Sequence, residues 1–139
     1  MTTERMSLVV FSGSADKLIA TATMATGAAA MGMEVDLFLT FWGLEAFRKG
    51  AKERAPRLTA EYADYGPQMM AMMREKNVPH WLDTLRSARE IGEVRIFACS
   101  ATMELFGIQL SDLEDVVDEV TGVASFVDRA KDAQISLFI

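Results

Sequence analysis

Cysteine, histidine and proline are scarce in this chain, which holds one, one and three of them in 139 residues. A single cysteine, Cys99, cannot close an internal disulfide, so the fold does not depend on an oxidising compartment. One cysteine and one histidine are too few for a recognisable zinc site, and neither a metal nor a cofactor is expected. Positive charge is also short: 14 basic against 20 acidic side chains give a net charge of −6. That balance argues against nucleic-acid binding and against docking on anionic lipid, since both need a basic face. The opening MTTERMSLVVFSGS has no basic region followed by an apolar stretch of signal-peptide length. The longest weakly polar stretch, residues 18–33, is rich in Ala, Thr and Gly and falls short of the roughly 20 apolar residues that span a bilayer. A cytoplasmic protein without stable membrane insertion is expected.

What is present is a globular composition, half hydrophobic and 24% charged. No internal repeat, low-complexity tract or linker divides it, so residues 1–139 read as a single domain. Residues 7–11 read as a buried strand ended by Ser12-Gly13-Ser14, and residues 14–31 as a helix ended by Gly32. Residues 34–40 form a second strand, with Val35, Leu37 and Leu39 alternating against Glu34, Asp36 and Phe38. A short basic-tailed helix is expected over residues 44–52, and irregular chain over 53–66. Val78-Pro79 opens a helix that runs to about Ile91 and stops at Gly92. Residues 94–98 form a third strand with Cys99 at its C-terminal end, followed by a helix over 101–106 ended at Gly107. Ser111-Asp112-Leu113-Glu114 has the pattern of a capping box. Val116-Val117 reads as a brief strand, residues 123–131 as an amphipathic helix and 134–139 as a terminal strand. Strands alternating with helices predict right-handed βαβ units and an α/β fold whose mainly parallel sheet is covered on both sides.

In an open parallel sheet, ligands bind beyond the C-terminal ends of the strands. Ser12 and Gly13 after the first strand, and Thr40, Phe41 and Trp42 after the second, are therefore candidate walls of a site. The Ser12–Lys17 loop lacks both phosphate-loop spacings, and Asp16 would repel a phosphate, so it reads as a tight turn. Cys99 stands at the same edge, last on a strand and first before a helix. There a helix dipole favours an anionic sulfur, the nucleophilic form. The competing reading is that of a small buried hydrophobe. His80, between Pro79 and Trp81, reads as a solvent-exposed helix start, with a Cys–His pair as the alternative. Asp112, Glu114, Asp115, Asp118 and Glu119 read as a solvated acidic face. Met69, Met70, Met72 and Met73 crowd into five residues. Apolar on nearly all sides, they are either core packing or an oligomer interface or flap.

Taken in order, VVFSGSADK, GAAAMGMEV, LFLTFWGLEAFRK, GPQMMAMMREKNVP, IFACSATMELFGI and GVASFVDRAKDAQISLFI resemble the DsrE/DsrF-like family of sulfur-handling proteins over nearly the whole chain. The methionine-rich segment resembles the branch often labelled peroxiredoxin-like. The resemblance implies a three-layer α/β/α sandwich on about five strands, assembled as a homo-oligomer. It implies that Cys99 accepts sulfur as a persulfide and hands it to a partner, in the manner of a sulfurtransferase or sulfur carrier. Rhodanese-like and TusA-like proteins are the implied partners. Ser100, Thr102 and Glu104 become site neighbours, since relatives often have a hydroxyl and an acidic residue near that cysteine. Transfer between molecules needs no second cysteine, whereas a thiol peroxidase needs a resolving thiol that this chain lacks. The rival expectation is a non-catalytic binding or assembly module using the strand-end cleft and the methionine-rich surface.

Overall fold

The computed structural model describes residues 3–139. Three parallel strands form the centre of its sheet: β1 (Arg5–Val10), β2 (Glu34–Leu39) and β3 (Val94–Cys99). β4 (Glu119–Thr121) adds to β3 and β5 (Ile135–Phe138) adds to β1, both parallel, giving the order β4-β3-β2-β1-β5. The fold is an α/β sheet with helices on both sides.

One face carries the main core. Met6, Leu8 and Val10 of β1 and Val35, Leu37 and Leu39 of β2 project to it, as the two-residue period requires. They pack under α1 (Ala15–Ala30) and α4 (Trp81–Ile91), which contribute Leu18, Ala22, Leu82 and Leu85. Alanines along α1 let the second element come close: a Cβ on Gly92 would stand 2.9 Å from the Ala29 Cβ.

The opposite face is covered by α6 (Val123–Ala130). Handedness puts it there. From β1 to β4 the chain steps across the sheet in one direction with α1 and α4 on the first face; from β4 to β5 it returns to the other edge. A right-handed crossover taken in the reverse direction must pass over the second face. Phe126 of α6 stacks on Phe38 of β2 with ring centres 4.5 Å apart. Arg129 reaches the buried Asp36 with its Nε 2.8 Å from Oδ2, and Arg5 stands 3.6 Å from the same oxygen.

Several local expectations are corrected. Residues 44–52 do not form a helix: α2 (Phe41–Glu45) starts earlier, and turns follow it. Lys49 donates its backbone N–H to the Asp112 carbonyl, and the N–H groups of Gly50 and Ala51 go to the Glu114 carboxylate. These long-range bonds replace the helical ones. The capping box lies two residues earlier than the Ser111–Glu114 pattern, between Gln109 and Asp112 around a 3-10 turn at Leu110–Asp112. Val116 and Val117 are buried in a connection, and the strand comes after them. The acidic stretch is not simply solvated, because Glu114 and Asp118 are structural acceptors. Burial works against the Asp118 charge, but the Arg89 guanidinium at 2.8 Å and the Ile96 N–H outweigh it and hold the carboxyl low. Asp36, placed on the polar side of the alternation, is buried and paired. All four residues of β5 are exposed.

Candidate functional site

The C-terminal ends of β1, β2 and β3 converge on one edge of the sheet, held together by close backbone contacts. Gly13, after β1, leaves no room for a side chain, since a Cβ would stand 2.5 Å from the Trp42 carbonyl oxygen. Gly43 is tighter still, with the Val10 carbonyl where a Cβ would be. Phe41 lies between these contacts with φ +49°, a left-handed conformation that costs a non-glycine residue free energy. Thr102 supports it: its buried Oγ1 accepts the Phe41 N–H at 3.2 Å and lies 3.0 Å from the Thr40 Oγ1. Thr40 and Thr102 thus tie the β2 loop to α5 (Ser100–Phe106) rather than offering free hydroxyls.

Cys99 ends β3 and caps the N-terminus of α5 with its backbone. Its side chain shares the α6 face with Phe97 and packs among Phe38, Phe97 and Phe126, only 7% exposed. Its register partner on β4 is Thr121, and the next residue, Gly122, starts α6. A Cβ on Gly122 would stand 4.0 Å from the Ser100 Oγ. Two helices therefore begin beside the thiol, each with unpaired N–H groups at its first turn. Ser100 and Glu104 are exposed on α5.

The remaining predicted wall residues belong elsewhere. Ser12, Gly13 and Trp42 line a cavity of about 730 Å³ at the start of α1, to which Met70, Met73 and His80 also contribute. Cys99 is not among its described lining residues. The site predicted as one cleft is thus two places, with Trp42 lining the cavity and Cys99 packed under α6. Met69 and Met72 face a smaller cleft with Tyr62 and Tyr65. The methionine helix, α3 (Gly66–Glu75), buries no residue, so the core-packing reading of its methionines does not hold. His80 is half-buried and caps α4, its Nδ1 accepting the Leu82 N–H at 3.1 Å. Burial pushes its pKa below the ordinary value, against the nearby Asp83 carboxylate. Among the described residues no group of His, Cys, Asp and Glu could hold a metal ion.

Sequence reasoning missed a run of aromatic rings along the strand ends. Phe138 meets Phe11 at 5.6 Å, Phe11 meets Phe41 at 5.4 Å, and Phe106 lies within 6.0 Å of both Phe41 and Trp42. The signal was present, since an aromatic follows each of β1 and β2 and closes β5, but only the sheet order makes these ends neighbours.

Residues 2–62 and 53–138 match the DsrE/DsrF/DrsH-like family. The chain belongs to that family. Within known proteins it is 35% identical over 158 aligned residues to the uncharacterized protein YrkE of Bacillus subtilis, covering 99% of this chain and 98% of the relative. It is 28% identical over 160 aligned residues to the sulfur carrier protein DsrE2 of Allochromatium vinosum, covering 100% of both. Two solved structures share the family fold. YchN of E. coli superposes with a TM-score of 0.61 at 17% identity, covering 97% of this chain and 99% of that one. MTH1491 of Methanobacterium thermoautotrophicum, a protein of unknown function, gives 0.58 at 13% identity, covering 96% of each chain. Among the described residues no helix is long and apolar enough to cross a membrane.

Proposed function

We propose that this chain is a sulfur carrier in which Cys99 bears a persulfide and passes its outer sulfur to a partner protein. The observation that carries the reading is the position of the only cysteine, between the starts of α5 and α6, in a chain 28% identical to a sulfur carrier protein along its length. In loading, the Cys99 thiolate attacks the terminal sulfur of a donor persulfide; that S–S bond breaks and the donor leaves as its own thiolate. In unloading, an acceptor thiolate attacks the outer sulfur of the Cys99 persulfide and releases Cys99 as thiolate. Each step exchanges one S–S bond for another, with no net oxidation. The N–H groups at the two helix starts suit the anionic Cys–S–S⁻ form. Ser100, Thr102 and Glu104, on the helix that follows Cys99, are the proposed neighbours of the sulfur, with Thr102 as a positioning residue. Rhodanese-like donors and TusA-like acceptors are the partner classes, in the cytoplasm, and residues 1–139 act as one domain. The working form is a homo-oligomer.

A second reading has its own observation. Cys99 is 7% exposed among three phenylalanines, as a packing residue would be, which favours a non-catalytic binding or assembly module.

Intact-protein mass after incubation with polysulfide, or with thiosulfate and a rhodanese, separates the two. The carrier gains one sulfur, loses it on reduction, and gains none as Cys99→Ser. A folded protein that gains nothing, or a Cys99→Ser variant that still gains sulfur, sinks the carrier reading.

A further inference from the structure

The cavity at the start of α1 is separate from the Cys99 thiol, and we propose that it binds a small organic anion: an apolar or aromatic body carrying one carboxylate, sulfonate or phosphate group. This proposal does not rest on the sulfur reading.

Size and lining support it. About 730 Å³ lies within the range of small-molecule sites, and the walls include Leu18, Ile19, Trp42, Met70, Met73 and Trp81. Charge decides the class of ligand. In a protein of net charge −6, this cavity is lined by Arg48, Lys52, Arg54 and Arg57 against one carboxylate, Glu45. Two of the cations are neutralised, Arg48 by Glu45 at 2.8 Å and Lys52 by Asp83 at 2.7 Å. Arg54 is not: its guanidinium donates to the carbonyls of Ala46, Arg48 and Lys49, which hold it in place without cancelling its charge. Arg57 has no ion pair or side-chain hydrogen bond among the described residues. Its own carbonyl accepts the Ala15 N–H at 2.6 Å, which fixes this arginine's backbone against the first turn of α1. Two uncompensated guanidinium groups beside apolar walls suit a ligand whose charge and body are at opposite ends.

Trp42 and Trp81 are the only two tryptophans in the chain, and both line the cavity. Intrinsic fluorescence therefore reports occupancy without a label. The probe is 8-anilinonaphthalene-1-sulfonate, with uncharged N-phenyl-1-naphthylamine as its control, titrated into the full chain. Saturable quenching at one probe per chain is expected, with the anion held about tenfold or more tighter than the neutral compound. Arg57→Glu weakens the anion by about tenfold or more and the neutral probe by less than about twofold. Arg57→Lys restores most of the anion affinity. Circular dichroism checks that each variant is folded. Should Arg57→Glu not fold, Arg57→Gln removes the positive charge without reversing it and should weaken the anion by a smaller factor while leaving the neutral probe unmoved. Unsaturable binding, equal affinity for both probes, or an anion affinity unmoved in the folded variant overturns the proposal.

Discussion

His80 caps α4 through a ring nitrogen, and that choice makes the cap sensitive to pH. Nδ1 can accept the Leu82 N–H only while it carries no proton. Burial lowers the folded-state pKa below the ordinary 6.5, so the unfolded chain takes up the proton first. The cap's contribution is complete above about 6.5 and is lost as pH falls from there through the lower folded value. Asparagine accepts the same bond without titrating, so His80→Asn should flatten the loss of stability just below about pH 6.5 while costing little at neutral pH. Urea unfolding at a series of pH values measures this; equal slopes in the two proteins would show that His80 is not the group responsible.

α3 and α4 follow each other in the chain and differ in what holds them. α4 buries Trp81, Leu82, Leu85 and Ala88, whereas α3 buries nothing and rests on the neighbouring turn at Ala60–Tyr65. Leu85→Ala should cost about 2–5 kcal/mol, and Met72→Ala less than about 1 kcal/mol despite the similar number of atoms removed. Thermal or denaturant unfolding of the two variants tests this; a large loss at Met72 would mean that α3 is seated more firmly than its exposure indicates. The same contrast explains what the sequence could show. Elements with their own period and stop signals, such as β3 running into Cys99 or α5 halting at Gly107 with φ +65°, were legible from local chemistry. Residues 44–52 were not, because their hydrogen bonds end on Asp112 and Glu114, more than sixty positions away. The buried ion pair of Asp36 was not legible for the same reason, its partner Arg129 being 93 residues further on. The position of Cys99 was readable, but its burial under Phe126 depends on the last crossover.

As a whole, the molecule is a sheet between unequal layers. Long helices α1 and α4 cover one face, while α6, eight residues long, lies on the other beside the exposed β5. Val123 and Val127, one turn apart on the outside of α6, are 62% and 56% exposed, and a second copy of the chain is the proposed cover. Sedimentation equilibrium should therefore give more than one chain per particle, and Val123→Glu with Val127→Glu should shift it towards monomer. Because neither side chain is buried within the chain, the variant should remain folded. A wild-type monomer at all concentrations would remove α6 as an interface. The thin layer has another consequence for the thiol beneath it. In the proposed carrier a sulfur donor has to reach a thiol packed under Phe126, so loading depends on exposing Cys99 and not on donor concentration alone. Under such a rule, transfer is governed by timing more than by affinity.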